Sequence, residues 1–421
     1  MYKKVFYNTT AQVIGKIITA SATLLITLLI GKSLGPSGYG DFTKIFVFVA
    51  YFYTFADFGF NTIYIKLAQG NKRELINYLL GLRLLLSLLL LVLAISISQL
   101  LPYNPTSGIG FSPLVKLGII IASLTIVTQA LFTSLNAFFQ KNLRYDLSTI
   151  SAIAGTVVIL TVTAIASFTK APLSVYVSAY VFGGFTLVAS STLIIAGYFK
   201  EKISISFSRQ VFIDLLKTTW PIGAALIFNL IYFRVDVLIL SYTRPSAEVG
   251  LYGLAYQFFE AALSIPIFFA NALYPLLAKL YLENQKEYVG QVKKWSIILI
   301  LISLLLTVCL MIASILIPLL FDTRFNGSQA ALIILATGMP FFFLSAFLWH
   351  LLIIRNQQKL LILVYFFGGI FNLAVNLKLI PTYGILAASA TTVLSEALIA
   401  LMLVLIIKFA KAPDTQKELV N

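Results

Sequence analysis

A chain of 421 residues in which 60% are hydrophobic and only 11% charged, with a mean hydropathy of +0.96, is not composed as a soluble globular domain. Its formal charge of +15 comes from basic residues spread along the whole chain, so it is not the footprint of a nucleic-acid-binding module, and no nucleic-acid partner is expected. The single cysteine, Cys309, excludes a disulfide framework and a Cys-based metal site.

The apolar residues gather into about twelve stretches, each long enough for a helix to cross roughly 30 Å of hydrocarbon while satisfying its own backbone polar groups. In chain order the predicted spans are 10–31, 41–66, 76–101, 113–136, 147–168, 175–198, 215–242, 250–279, 294–318, 329–354, 360–378 and 384–408. The expected fold class is an all-α polytopic membrane protein. The first span carries Lys16 and runs into Leu34-Gly35-Pro36-Ser37-Gly38-Tyr39-Gly40 without a small-residue cleavage site, which reads as a retained helix rather than a signal peptide.

Orientation follows from the basic residues. With the N-terminus in the cytoplasm, 21 of the 30 Lys and Arg fall on that side, among them Lys3, Lys4, Lys72, Arg73, Lys141, Arg144, Lys200, Lys202, Lys293, Lys294, Arg355, Lys359 and Lys411. Seven fall outside (Lys32, Lys44, Lys116, Lys170, Arg244, Arg324, Lys378), and Lys16 and Arg234 lie within spans. This positive-inside bias, with an even number of spans, places both termini in the cytoplasm. Trp220, Trp295 and Trp349 fall near cytoplasmic span ends, as an interfacial belt would.

The halves read as a duplication. A shift of 213 residues lays Gly38-Tyr39-Gly40 against Gly250-Leu251-Tyr252-Gly253, and Lys66 on Lys279. The expected domains are a six-helix bundle over 1–198, a cytoplasmic interfacial linker over 199–214 in which Ile203, Ile205 and Phe207 alternate with polar residues, and a second six-helix bundle over 215–421 with a short tail. No loop has room for a soluble catalytic domain, and no nucleotide-binding or hydrolase motif is found, so no enzymatic activity and no cofactor are expected.

Function then rests on polar residues within the spans. Six charges are singled out: Lys16, Asp57, Arg234, Asp236, Glu260 and Glu396. Facing lipid, at roughly 2.5 to 3.5 kcal/mol each, they would together cost on the order of 15 kcal/mol, so they are expected to face a wet lumen or one another. Helical spacing groups Gln12, Lys16, Thr19, Thr23 and Thr27 on the first span, Tyr51, Thr54, Asp57 and Asn61 on the second, and Asn229 and Asp236 on the seventh. The eighth carries Gln257, Glu260, Ser264 and Asn271, and the twelfth Ser389, Thr392 and Glu396. The first, second, seventh and eighth spans are thereby expected to line a lumen. Arg234 and Glu260 share a depth on antiparallel spans, which predicts an ion pair, whereas Asp236 lies about 200° round the helix from Arg234. Pro266 and Pro275 are expected to interrupt the eighth span, and Pro221 lies near the start of the seventh. His350, the only histidine, does not make a metal site.

Leu34-Gly35-Pro36-Ser37-Gly38-Tyr39-Gly40 followed by Ala56-Asp57-Phe58-Gly59, then Trp220-Pro221, Arg234-Val235-Asp236 and Val249-Gly250-Leu251-Tyr252-Gly253-Leu254-Ala255-Tyr256, resembles the polysaccharide-biosynthesis proteins of the multidrug/oligosaccharidyl-lipid/polysaccharide exporter superfamily. The resemblance implies a MATE-like fold of two pseudo-symmetric six-helix bundles. It also implies a flippase for polyprenyl-pyrophosphate-linked oligosaccharides of O-antigen, capsule or exopolysaccharide type, working by alternating access in a prokaryotic cytoplasmic membrane. Its partners would be the lipid-linked substrate, membrane lipid, H⁺ or Na⁺, and the glycosyltransferases and polymerase of the same pathway. Lys16 and Arg234 suit the pyrophosphate, and Gln12, Thr23, Asn61, Asn229, Gln257 and Asn271 suit sugar hydroxyls. Asp57, Asp236, Glu260 and Glu396 are the candidates for ion coupling or ion pairing. A multidrug cation antiporter of the same superfamily is the alternative, and an integral-membrane polysaccharide polymerase or ligase a more distant one.

Overall fold

The computed structural model describes residues 2–67 and 74–409. They are 89% helical, so nearly every backbone polar group is satisfied within its own segment, as lipid requires. The first helices are α1 (Tyr2–Asp57), α2 (Phe60–Leu67) and α3 (Leu75–Leu100). A short hairpin of β1 (Tyr103–Asn104) and β2 (Ile109–Gly110) leads into α4 (Pro113–Lys141), α5 (Tyr145–Phe168) and α6 (Leu173–Ile194), the last extended by a π-helical turn, Ile195–Phe199. After an extended linker come α7 (Arg209–Thr243), α8 (Ser246–Glu283), α9 (Gln285–Leu320), α10 (Gly327–Thr337), α11 (Met339–Ile354) and α12 (Gln358–Phe409).

Local chemistry sets several ends. Ser112 caps α4 by accepting from the Val115 N–H at 3.2 Å, with Pro113 at the first helical position, and Asn284 caps α9 by accepting from the Glu287 N–H at 3.1 Å. Inside the spans, hydroxyls are spent on their own helix: Thr54 donates to Ala50 O at 2.9 Å and Thr156 to Ala152 O at 2.8 Å, which is how apolar helices carry so many Thr and Ser.

The expected loop over residues 32–40 is not a loop. α1 runs through it and kinks at Gly35, whose φ of 65° only glycine adopts cheaply, directly before Pro36, which disfavours a helical conformation for the residue preceding it. At 56 residues α1 is about 84 Å long, far more than one bilayer crossing needs. α12, of 52 residues, kinks likewise at Gly384, where φ is 57°. The second expected span breaks early, at Phe58 and Gly59, both in the left-handed region. The tenth bends by 43° between α10 and α11. The eighth is uninterrupted, because α8 continues through both Pro266 and Pro275, each of which removes one donor and leaves the flanking helical bonds. Eight of the described helices are long and apolar enough to cross a membrane, nine with the bent pair taken as one span, and α1 and α12 each have length for two of the expected spans, one on either side of the kink.

By packing, the chain forms two compact units, Met1–Leu230 with Pro245–Gly250, and Ile231–Arg244 with Leu251–Asn421. One core of the first unit gathers Phe60, Leu79, Leu82, Phe138, Phe139 and Ile195. The linker, nine residues over 200–208, docks on α3: the Ser206 N–H donates to Asn77 O at 3.1 Å and the Ser204 N–H to Asn77 Oδ1 at 3.0 Å. Ile203 packs against the core while Ile205 and Phe207 face out.

The start of α8 lies backbone to backbone on α1. A Cβ on Gly40 would stand 1.7 Å from Ser246 O, and one on Gly250 would stand 2.1 Å from Pro36 O. Lys44 ties this region together by donating to Gly110 O at 2.7 Å and Ser246 Oγ at 2.9 Å. It is buried, not an outer surface charge as the positive-inside reading had it.

Candidate functional site

The second unit holds two buried carboxylates. Asp236 on α7 and Glu396 on α12 both lie in the interior, and each is met by hydroxyls. Tyr252 and Thr392 donate to Asp236 Oδ2, the latter at 3.4 Å, and the Val237 N–H donates to Oδ1 at 2.7 Å. Glu396 accepts from Tyr232 at Oε2, 2.6 Å away, and from Ser345 at Oε1. Close by on α12, Asn372 donates to Ser395 Oγ at 3.1 Å and Asn376 to Asn372 Oδ1 at 2.9 Å. Four helices thus converge on a polar interior in which, among the described residues, the hydrogen-bond donors to each carboxylate are neutral. Among the described residues no group of three or more His, Cys, Asp or Glu gathers to hold a metal ion.

On the other side of α7, Arg234 donates to both oxygens of Glu260, at 2.8 and 2.7 Å, and lies over the Tyr256 ring at 4.9 Å. Arg234 and Glu260 are 25% and 46% exposed, so this pair is reachable from outside the protein. The shared depth of the two residues locates it. The turn between residues 234 and 236 separates it from Asp236, as the helical period requires.

In the first unit Asp57 is paired with a residue that sequence reasoning passed over. Arg83, on α3 and fully buried, donates to Asp57 Oδ1 at 2.6 Å, Asp57 O at 3.0 Å, Asn61 Oδ1 at 2.8 Å and Ser134 Oγ at 3.1 Å, and stacks over Phe60 at 5.6 Å. Asp57 O is a carbonyl left without a helical donor where α1 breaks, so the guanidinium closes the end of α1 as well as holding the carboxylate. The expected orientation counts Arg83 among the 21 cytoplasmic cations. Its position inside the third expected span, with Asp57 in the preceding one, was the only available clue.

The remaining candidates are scattered. Lys16 is exposed on α1, and Thr23 donates to Thr19 O at 2.8 Å, which spends its hydroxyl on its own helix. Gln257 is half-buried; Asn271, exposed on α8, lies 3.1 Å from His350 Nε2. The side chains of Gln12 and Asn229, and those of Lys3, Lys4 and Pro221, lie outside the described residues, as do Lys72, Arg73 and Lys411 altogether. Tyr232, Tyr252 and Ser345, which hold the two carboxylates, carried no charge to mark them.

The family described as "Polysaccharide biosynthesis protein" matches residues 1–281, and that described as "MatE" matches residues 221–378. No curated protein sequence matches the chain. Among solved structures, a lipid II flippase MurJ in an inward closed conformation is 15% identical, with 96% of this chain and 87% of that one covered and a TM-score of 0.75. An inward-facing multidrug resistance MATE family transporter of the MOP superfamily is 14% identical over 93% of this chain and 96% of that one, with a TM-score of 0.72. A MOP superfamily transporter from Pyrococcus furiosus, described as having a binding pocket of reverse polarity, is 15% identical over 96% and 94%, with a TM-score of 0.63. At such identities the likeness is one of fold, and it is the family match over two thirds of the sequence, on a fold that is almost wholly long apolar helices, that assigns the chain to the polysaccharide biosynthesis protein family.

Proposed function

We propose that the chain moves polyprenyl-pyrophosphate-linked oligosaccharides across a prokaryotic cytoplasmic membrane by alternating access. Its termini lie in the cytoplasm, and it acts between the glycosyltransferases that build the unit and the polymerase that uses it. The observation that carries this reading is Arg234, a partly exposed guanidinium within a membrane span, held by Glu260 and laid over Tyr256. A guanidinium matches phosphate oxygens as well as carboxylate oxygens, so it can exchange Glu260 for a pyrophosphate in a site of low dielectric. Lys16 is the exposed cation that α1 offers. Asp236 and Glu396 are the coupling candidates, because a buried carboxylate held only by neutral donors is relieved of several kcal/mol when it binds a proton or a monovalent cation.

The test is a charge swap in proteoliposomes loaded with a fluorescent lipid-linked oligosaccharide. Arg234→Gln alone should lower both folded yield and flipping. Arg234→Glu with Glu260→Arg should restore the yield and not the flipping, since the cation then sits on α8. Full recovery of flipping by the swap would leave the pair as architecture and remove Arg234 from substrate binding.

The MatE match over 221–378, which contains Asp236, favours a second reading, export of an organic cation. The same vesicles separate the two. Ethidium efflux driven by a H⁺ or Na⁺ gradient, without movement of the lipid-linked sugar, selects the antiporter.

A further inference from the structure

Of the seven basic residues that the predicted orientation leaves on the outer side, two come together. Lys32, on α1 just before its kink, and Lys170, just beyond the end of α5, line one open cavity of about 480 Å³ with Ser33, Leu34, Ser167 and Ala171. Both lysines are exposed, and among the described residues neither ammonium makes a hydrogen bond or an ion pair. No carboxylate lines the cavity.

The backbone adds a second observation. α5 closes with the Thr169 N–H on Ile165 O at 3.0 Å and the Ala171 N–H on Ala166 O at 2.9 Å, a closure that puts residue 170 in the left-handed region, at a φ of 52°. Glycine is the residue such a helix end favours, and a side chain there is strained. Lys170 therefore keeps a cation at this rim against the local conformational preference. The same two bonds occupy carbonyls at the end of α5, so those do not face the cavity bare. Ser33 is positioned by its contact with the Tyr176 hydroxyl at 2.5 Å, which leaves Ser33 a further hydrogen-bonding valence.

We propose that this cavity binds a phosphate-ester headgroup. Two ammonium groups and the hydroxyls of Ser33 and Ser167 supply charge-assisted and neutral donors to phosphate oxygens, and the volume exceeds a bare phosphate, leaving room for the first glycerol or sugar attached to it. Two sources present that chemistry: the phosphodiester of an anionic bilayer lipid, and the diphosphate of a polyprenyl carrier. The site lies wholly in the first unit and does not depend on the role proposed for Arg234.

The experiment is native mass spectrometry of the full chain released from detergent, with phosphatidylglycerol, phosphatidylcholine or a polyprenyl diphosphate added. The wild type, and a control in which the half-buried Lys116, bonded to Gln99 O at 3.0 Å, is changed by Lys116→Gln, should retain an anionic phosphate ester about tenfold more than phosphatidylcholine. The double variant Lys32→Gln with Lys170→Gln should lose that preference. Retention of phosphatidylglycerol identifies a bilayer headgroup, and retention of the polyprenyl diphosphate alone identifies the carrier. Lys170→Gly keeps the test sound if the double variant folds poorly, since it relieves the backbone: it should melt no lower than the wild type and still lose most of the retained phosphate ester. A double variant, or a Lys170→Gly protein, that binds as the wild type does would overturn the proposal.

Discussion

Charges inside the membrane decide what single residues do here, and three of them sort by how they are satisfied. Arg83 is fully buried and gives four hydrogen bonds, two of them to Asp57, whose side chain is 38% exposed. Removing the guanidinium strips the end of α1 and strands Asp57, so Arg83→Leu should cost about 3 kcal/mol, and pairing it with Asp57→Asn should cost less than the two single changes added together. Melting in detergent measures this, and additive losses would mean the ion pair contributes nothing of its own. Asp236 and Glu396 differ, having neutral donors and, among the described residues, no cation hydrogen-bonded to them. Asp236→Asn and Glu396→Gln keep the shape, so both proteins should fold, melt near the wild type and lose the dependence of transport on a H⁺ or Na⁺ gradient. Retention of that dependence in both would leave the carboxylates structural. The Arg234–Glu260 pair was legible in the sequence because opposite charges at one depth on antiparallel spans have few other partners. The donors to Glu396 were not, because they come from positions 164 and 51 residues away and carry no charge.

At the scale of the element, glycines mark where helices turn or touch. Gly384 holds a φ of 57° within α12, so Gly384→Ala should destabilise the protein by about 1 kcal/mol. Gly290, exposed near the start of α9 with open space around it, should accept alanine with a gain of up to about 1 kcal/mol. Gly40 is more demanding than either, because its added Cβ would meet the Ser246 carbonyl, a backbone atom that cannot rotate away. Gly40→Ala should abolish most of the folded yield by fluorescence-detected gel filtration, and a normal yield would mean that α1 and the start of α8 are not in close contact. The number of crossings was readable because each apolar run is long; the joints were not. Residues 32–40 and the region of Gly384 are polar or glycine-containing enough to pass for loops, and only the backbone shows that the helix continues through a single left-handed residue. The break at Phe58 and Gly59 went unread for the opposite reason, being embedded in an otherwise unbroken hydrophobic run.

For the whole molecule, the expected 213-residue repeat, as a duplication of scaffold, does not extend to the chemistry. Tyr39 and Tyr252 are repeat-related and both buried, yet Tyr252 holds Asp236 while the position matching Asp236 in the first half is Thr23, bonded to its own helix. Arg83 falls opposite Ser296, and Glu396 opposite Gly183, so each unit carries its own charged network. Orientation depends on the cations that remain at the surface. With Arg83 and Lys44 interior, the expected split of basic residues becomes 20 to 6, still about three to one, so the bias that favours the proposed orientation with cytoplasmic termini is kept. Labelling tests this directly. Cys309 is exposed on α9, so the work needs a Cys309→Ser background. In intact cells a membrane-impermeant maleimide should react with a cysteine introduced by Arg324→Cys, between α9 and α10, and should reach Lys141→Cys, at the end of α4, only after the cells are opened. With the expected twelve spans an even number separates the two termini, whereas an odd number, five, separates residue 141 from residue 324: those of α5, α6, α7, α8 and α9. Labelling of both from the same side would therefore require one of those five helices not to cross, and labelling in the reverse order would keep all twelve crossings but invert the molecule.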